Sequence, residues 1–292
     1  MLTKLFLKKN RIYIILFLVL ALIMAVMVLK DQNILDICFE WLTSSEYRKN
    51  YCLYDENPDC SVNNLADLIG NVMSSQGRYF DILIVFGTSF IQVLLPLLCV
   101  VSGVLFYTRW HSVSSVEMYR SGNTKQYLYR TILKEALKTG IACFAAYLVL
   151  FALCYLWADG KPSGYVIHQF LRDILGTEFI LSHTAAYYLI EGIFRFFLMP
   201  ALYSAFAQSL SLYAPNIKQA ILYPCLYYYG LTVISWMLLF LIGKNYIYFN
   251  PAYILVSGDY ENVSSIGLLM IHLIPALFCI YSIRVHSKRD FA

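Results

Sequence analysis

Charge is what this chain has least of. Lys, Arg, Asp and Glu make up 14% of its 292 residues, against 60% hydrophobic residues. That balance is too apolar for a soluble domain of this size. Several motifs are missing as well. There is no Gly-x-x-x-x-Gly-Lys-Ser/Thr phosphate loop, so the chain is not expected to hydrolyse ATP alone. Gly-x-Ser-x-Gly and His-Glu-x-x-His are absent, which removes two common hydrolase signatures. No Cys-x-x-Cys or His-rich cluster argues for a metal. No internal repeat of broken helices supports a secondary transporter. The length accommodates one membrane domain, 1–292, with no separate soluble domain.

Six apolar runs fill most of that length: 12–29, 82–107, 139–157, 185–210, 219–242 and 266–283. Each is long enough, or nearly so, to cross about 30 Å of hydrocarbon as a helix. With the N-terminus in the cytoplasm, the inner segments are 1–11, 108–138, 211–218 and 284–292. They carry 14 Lys/Arg and three acids, whereas the outer segments 30–81, 158–184 and 243–265 carry 7 Lys/Arg and 14 acids. Basic residues stay on the cytoplasmic side. The expected fold is therefore an all-α integral membrane protein with six transmembrane helices, both termini cytoplasmic, in the cell membrane. The net charge of +4 reflects this topology and contact with anionic lipid, not nucleic acid binding. Lys4, Lys8, Lys9 and Arg11 before the first run resemble a secretory signal, but the run ends in Leu29-Lys30-Asp31 without a small-x-small cleavage site. It reads as an uncleaved first span.

Five of the eight cysteines lie in spans as small packing residues. Cys38, Cys52 and Cys60 lie in the first outer segment. Cys52–Cys60 is the preferred disulfide, with three reduced thiols as the alternative. In the same segment, Leu65, Leu68, Ile69, Val72 and Met73 fall at helical spacing behind Asn63 or Asn64, and Ile34 to Leu42 continues the first span along the interface. Two surface helices over the mouth of the domain are expected there, with a ligand-binding cap as the sharper reading. In the second outer segment, Val166, Ile167, Phe170, Leu171, Ile174 and Leu175 predict an amphipathic helix ending at Gly176. In the third, Tyr246 to Val256 is too short to span. Asn250 as N-cap and Pro251 at the first helical position predict a re-entrant or interfacial hairpin.

The inner segment 108–138 is the most interpretable. Ser114-Ser115-Val116-Glu117 has capping-box spacing, predicting a short helix from Ser115 to Arg120 that breaks at Ser121-Gly122-Asn123. Thr124 or Asn123 then caps the third-span helix. A two-turn helix between two spans can dock a soluble partner; the plainer reading is an interfacial turn with basic anchors.

Within the runs, Glu191 and Arg195 are four apart and can pair on one helix face. Charges in a span are expensive and often functional, but this pair sits in the outer third, where Arg can snorkel. Prenyl-protein-processing intramembrane proteases use a similar Glu-x-x-x-Arg, but Ile190 replaces their first Glu and Phe179-x-x-x-His183 comes upstream instead of downstream. The order fails, so enzymatic activity is not expected. Pro96 and Pro224 should kink the second and fifth spans. Gln92 and Tyr228 lie near those kinks, either in helix packing or along a substrate path.

The whole layout resembles the membrane subunits of type-2 ATP-binding-cassette exporters. Lys4 to Arg11 corresponds to their basic N-terminus and Ser115 to Arg120 to their coupling helix. Ser211 to Lys218 would be their tight fourth–fifth loop and Tyr246 to Ser257 their re-entrant hairpin. Glu117-Met-Tyr-Arg-Ser-Gly122-Asn123-Thr124 looks like the family's Glu followed by Gly and a small polar residue. The chain departs from the pattern in its longer first outer loop and in lacking a long elbow helix. The resemblance implies an export permease for a peptide, lipid-like compound or drug. It also implies a separate nucleotide-binding ATPase subunit that holds ATP and Mg, and a second membrane subunit, identical or paralogous. Val116, Glu117, Tyr119 and Arg120 would contact the ATPase, and Gln92 and Tyr228 would face the path. The alternative is a membrane immunity or sensor protein that binds a peptide through its outer loops without transport.

Overall fold

A computed structural model describes residues 2–31, 33–54, 62, 64, 65, 67–69, 79–112, 123–164, 170–242, 248–255 and 264–287. Among them there are only helices, turns and irregular loops. Six helices are long and apolar enough to cross a membrane: Asn10–Lys30, Ile91–Ser112, Thr124–Trp157, Thr184–Ser211, Ile217–Ile242 and Ser265–Ser287. They are called the first to sixth spans below, and they make the chain a multi-pass membrane protein.

One apolar run divides. The second run, 82–107, forms a helix Phe80–Thr88, a turn at Ser89 and Phe90, and then the second span. The Thr88 hydroxyl donates to the Ile84 carbonyl at 2.9 Å, and the Ser89 hydroxyl to the Phe86 carbonyl at 2.8 Å. Side chains that bond back to the preceding turn compete with the helix and bend it.

The other irregularities follow prolines, which lack the N–H that closes a helical turn. The fourth span passes through a π-helical turn, Ile193–Leu198, just before Pro200. The fifth has another, Leu226–Gly230, just after Pro224. The sixth is interrupted at Ile271 and His272, four and three residues before Pro275. In the fourth and sixth spans the carbonyl that the proline leaves unbonded, that of Phe196 or Ile271, lies within the irregular stretch.

The fourth span is the hub and packs against the second, third, fifth and sixth, while the first lies on the third and on Phe80–Thr88. Small residues bring backbones together. A Cβ on Gly103 would sit 3.0 Å from the Ala207 backbone, and one on Gly140 would sit 2.8 Å from the Phe197 carbonyl oxygen. Around these crossings a single large core gathers Leu20, Met24, Phe80, Leu95, Tyr147 and Phe196.

At one end of the bundle two aspartates staple the connections. Asp81 accepts the Ser163 N–H at 3.0 Å and also its hydroxyl. Asp173 accepts the Ser265 N–H at 2.9 Å and also its hydroxyl. The first connection forms helices Ile34–Thr43 and Ser45–Tyr54, and Ile34, Tyr51 and Leu68 bury a small satellite core. Asn64 accepts the Asp67 N–H at 2.9 Å, the cap expected of it. Burial pushes the Cys38 thiol pKa up, and Cys38 is unbridged. Cys60 and the side chain of Cys52 lie outside the described residues.

Around the second connection the amphipathic helix is broken up. Leu171 has φ 65° and Gly176 φ 80°, so the described part is two short helices, Arg172–Leu175 and Thr177–Ser182. In the third connection Asn250 accepts the Ala252 N–H at 2.9 Å and Pro251 to Leu255 are buried, ending in one 3-10 turn, Tyr253–Leu255. Residues 243–247 and 256–263 are outside the described set. The fourth–fifth connection is tight, because Asn216 caps the fifth span by accepting the Gln219 N–H at 3.0 Å.

Candidate functional site

The fourth span carries polar side chains along one buried stripe: Glu191, Arg195, Ser204, Gln208 and Ser211. Spacings of three and four residues keep Glu191 with Arg195, and Ser204 with Gln208 and Ser211, each set on one helix face. Toward the aspartate-stapled end, Arg195 Nη2 lies 3.0 Å from Glu191 Oε1, with the two side chains 3% and 8% exposed. Arg195 therefore does not snorkel. Phe170 lies beneath its guanidinium, 5.9 Å from the ring centre, and is itself fully buried. The Tyr187 hydroxyl donates to the Phe170 carbonyl at 2.8 Å, so the connecting loop is fastened over the pair. Tyr147 stacks on Phe196 at 4.5 Å and donates to the Tyr188 carbonyl at 2.7 Å, closing the other side. A buried pair enclosed this way cannot lose one partner cheaply.

Further along the stripe, hydroxyls tie three spans. Ser204 Oγ donates to Ser102 Oγ at 2.6 Å, Thr139 Oγ1 lies 3.1 Å from Ser204 Oγ, and Gln208 Nε2 donates to Ser204 Oγ at 3.2 Å. Ser102 also lies 2.7 Å from the Cys99 carbonyl. Ser211 lies 2.7 Å from the Ala207 carbonyl and 3.0 Å from that of Gly103.

Beside this stripe, three consecutive tyrosines of the fifth-span π turn fan onto neighbouring helices. Pro96 cannot donate to the Gln92 carbonyl, and the Tyr228 hydroxyl donates to it instead at 2.9 Å. Tyr229 donates to the adjacent Val93 carbonyl. Pro275 likewise leaves the Ile271 carbonyl without its helical N–H, and the Tyr227 hydroxyl reaches it at 3.3 Å. Tyr203 of the fourth span meets Tyr228 edge-on at 5.3 Å and holds His272 Nδ1 at 2.9 Å. Consecutive positions of the π turn thus serve two partners, Tyr228 and Tyr229 reaching the second span and Tyr227 the sixth.

Gln92 and Tyr228, grouped from the sequence as one candidate path, are thus in contact, through Gln92's backbone. Tyr228 is buried and Gln92 half-buried. Glu191 and Arg195 are likewise together. Val116, Glu117, Tyr119 and Arg120 lie outside the described residues. The hydroxyl cluster and Tyr203 were missed. Ser204 and Gln208 were legible as polar residues at helical spacing inside an apolar run, with Ser211 just past its end, and the prolines four residues after Gln92 and Ile271 marked two carbonyls needing donors. Among the described residues no group of metal-ligating side chains forms. No protein-family model, curated protein or solved structure matches the chain.

Proposed function

We propose that this chain is the permease subunit of an ATP-binding-cassette exporter. It forms an export path for a peptide, lipid-like compound or drug with a second membrane subunit, the same chain or a paralogue, in the cell membrane. A separate ATPase subunit holds ATP and Mg. The observation that carries the reading is the length of the third-span helix. Thr124–Trp157 has 34 residues and is about 51 Å long. Even tilted by about 40° it exceeds the roughly 30 Å hydrocarbon core. Its excess is the Thr124 end, which carries Lys125, Arg130, Lys134 and Lys138. The second span extends the same way, to Arg109 and His111. The facing ends of the second and third spans therefore project beyond the bilayer, where a soluble partner can reach them.

ATP-driven closure would push on Val116, Glu117, Tyr119 and Arg120. The second span transmits that push to Pro96, where Gln92 and the Tyr228 hydroxyl couple it to the fifth span. Such a device works as a population shift, in which nucleotide binding favours one membrane arrangement.

The test is purification of the tagged chain from native membranes in mild detergent, with mass identification of partners. A stoichiometric subunit bearing a phosphate loop, lost on Glu117→Lys combined with Tyr119→Ala, supports the proposal. Folded protein without an ATPase partner overturns it.

A further inference from the structure

The first connection carries an apolar stripe that stays exposed. The first-span helix ends at Asp31, and Asn33 takes the left-handed conformation, φ 54°, with its N–H on the Lys30 carbonyl at 3.0 Å. The chain turns there and at once re-enters a helix, Ile34–Thr43. At about 100° per residue this helix divides into three stripes. Ile34 is buried and Ile37, Cys38 and Trp41 are half-buried, all in the satellite core. Leu35, Phe39 and Leu42 form a second stripe and are 39, 68 and 56% exposed. Asp36, Glu40 and Thr43 form the third, also exposed. The apolar stripe lies about 120° from the core-facing one, and the polar stripe about 140° from it on the other side.

The height of this helix is fixed from two sides. Leu29, in the last turn of the first span, and Trp157, the last residue of the third-span helix, both pack on the satellite core. That core therefore rests on the ends of two spans, where hydrocarbon gives way to headgroups. Trp41 and Trp157 meet it at this level, where membrane interfaces favour tryptophan. Leu35 follows the end of the first-span helix by only four residues, so it cannot stand far above it.

We infer that Leu35, Phe39 and Leu42 are inserted in the bilayer surface, making the first connection a lipid-bound collar around the ends of the first and third spans. The helix then sets one stripe on protein, one in lipid and one in water, which is how an amphipathic helix lies in an interface. The seat is apolar. The helix holds no basic residue, and its exposed acids Asp36 and Glu40 would be repelled by anionic headgroups. A second copy or a soluble protein is a poorer occupant, because three side chains are few for a stable protein interface, whereas lipid surrounds the span ends at this height. The inference does not depend on transport or on which side of the membrane this end occupies.

Photo-crosslinking of the full chain in phosphatidylcholine vesicles tests it. Benzoylphenylalanine replaces Leu35, Asp36, Phe39, Glu40 or Leu42 singly, with Phe240 in the fifth span as the reference, and mass spectrometry reads lipid adducts. Leu35, Phe39 and Leu42 should give yields within about two-fold of Phe240, and Asp36 and Glu40 yields about ten-fold lower. Exchanging phosphatidylcholine for phosphatidylglycerol should not raise the yields along the apolar stripe. Phe39→Asp should lower the adduct at Leu42 about ten-fold and leave that at Phe240 unchanged, which shows the spans still inserted. Phe39→Trp should preserve it. Equal yields at Phe39 and Glu40 overturn the inference. So do protein–protein adducts in place of lipid adducts at Phe39, a requirement for phosphatidylglycerol, or an adduct at Leu42 untouched by Phe39→Asp.

Discussion

The fourth and fifth spans are neighbours of similar composition, yet the protein uses them in opposite ways. In their most apolar windows, 50% of the fourth is buried inside the protein and 11% of the fifth. The fourth holds the buried ion pair, the hydroxyl cluster and the closest backbone crossings. The fifth leaves Ile234, Met237, Phe240, Leu241 and Ile242 exposed and contributes chiefly its tyrosine fan. Apolarity alone therefore does not decide which span is central. Polar residues at helical spacing do, because in lipid each must find a partner helix.

Substitutions can break this contrast in graded steps. The largest effect belongs to the fourth span. Arg195→Leu leaves the Glu191 carboxylate buried without its partner and should destabilise the protein by about 3–5 kcal/mol, measured by unfolding in detergent. Adding Glu191→Leu should restore much of that loss, and failure to do so would mean the pair is not acting as a unit. Next is Gly140→Ala. Its new methyl meets the Phe197 carbonyl at 2.8 Å, so the third and fourth spans must separate, at a cost of about 1–3 kcal/mol.

The fifth span should respond more mildly. Tyr228→Phe removes the donor to the Gln92 carbonyl and should cost about 0.6–1.7 kcal/mol. In a Pro96→Ala background the helix supplies its own N–H, so the same change should cost less. A double-mutant cycle reads that coupling, and strict additivity would refute the account of the proline. The smallest effect is expected of Phe240→Ala, at a residue 85% exposed. The isolated chain should change by no more than about 0.5 kcal/mol. A large loss for the chain alone would show that this face is already covered within the protein.

Much of this was legible from the sequence, and the boundary has physical reasons. Run length and hydropathy marked six spans, with the break at Ser89 and Phe90 hidden because the small hydroxyl residues Thr88 and Ser89 hardly lower an apolar average. Asn64, Asn123, Asn216 and Asn250 are short polar residues ahead of helical turns, and each side chain accepts a backbone N–H two or three residues on. Glu191 and Arg195 pair because their spacing is local. Their burial was not legible, since it depends on Phe170 folding over them from another segment. The Tyr228 contact was only half visible. The sequence named Pro96 and Tyr228, but the acceptor is a main-chain carbonyl 136 residues away, and backbone atoms leave no trace in composition. The staples from Asp81 and Asp173 are similar long-range meetings of ordinary loop residues.

The two π turns bear on how such a bundle can rearrange. Each is a helix with one residue more than its length requires, held as slack. If that slack moves along the fourth span, the residues it passes turn by about 100° while both ends stay anchored. Glu191 lies just before the π turn and Arg195 within it, and Tyr203 and Ser204 lie beyond its other edge. One relocated residue would re-aim the charged end of the stripe relative to its hydroxyl end, without any span sliding through the membrane.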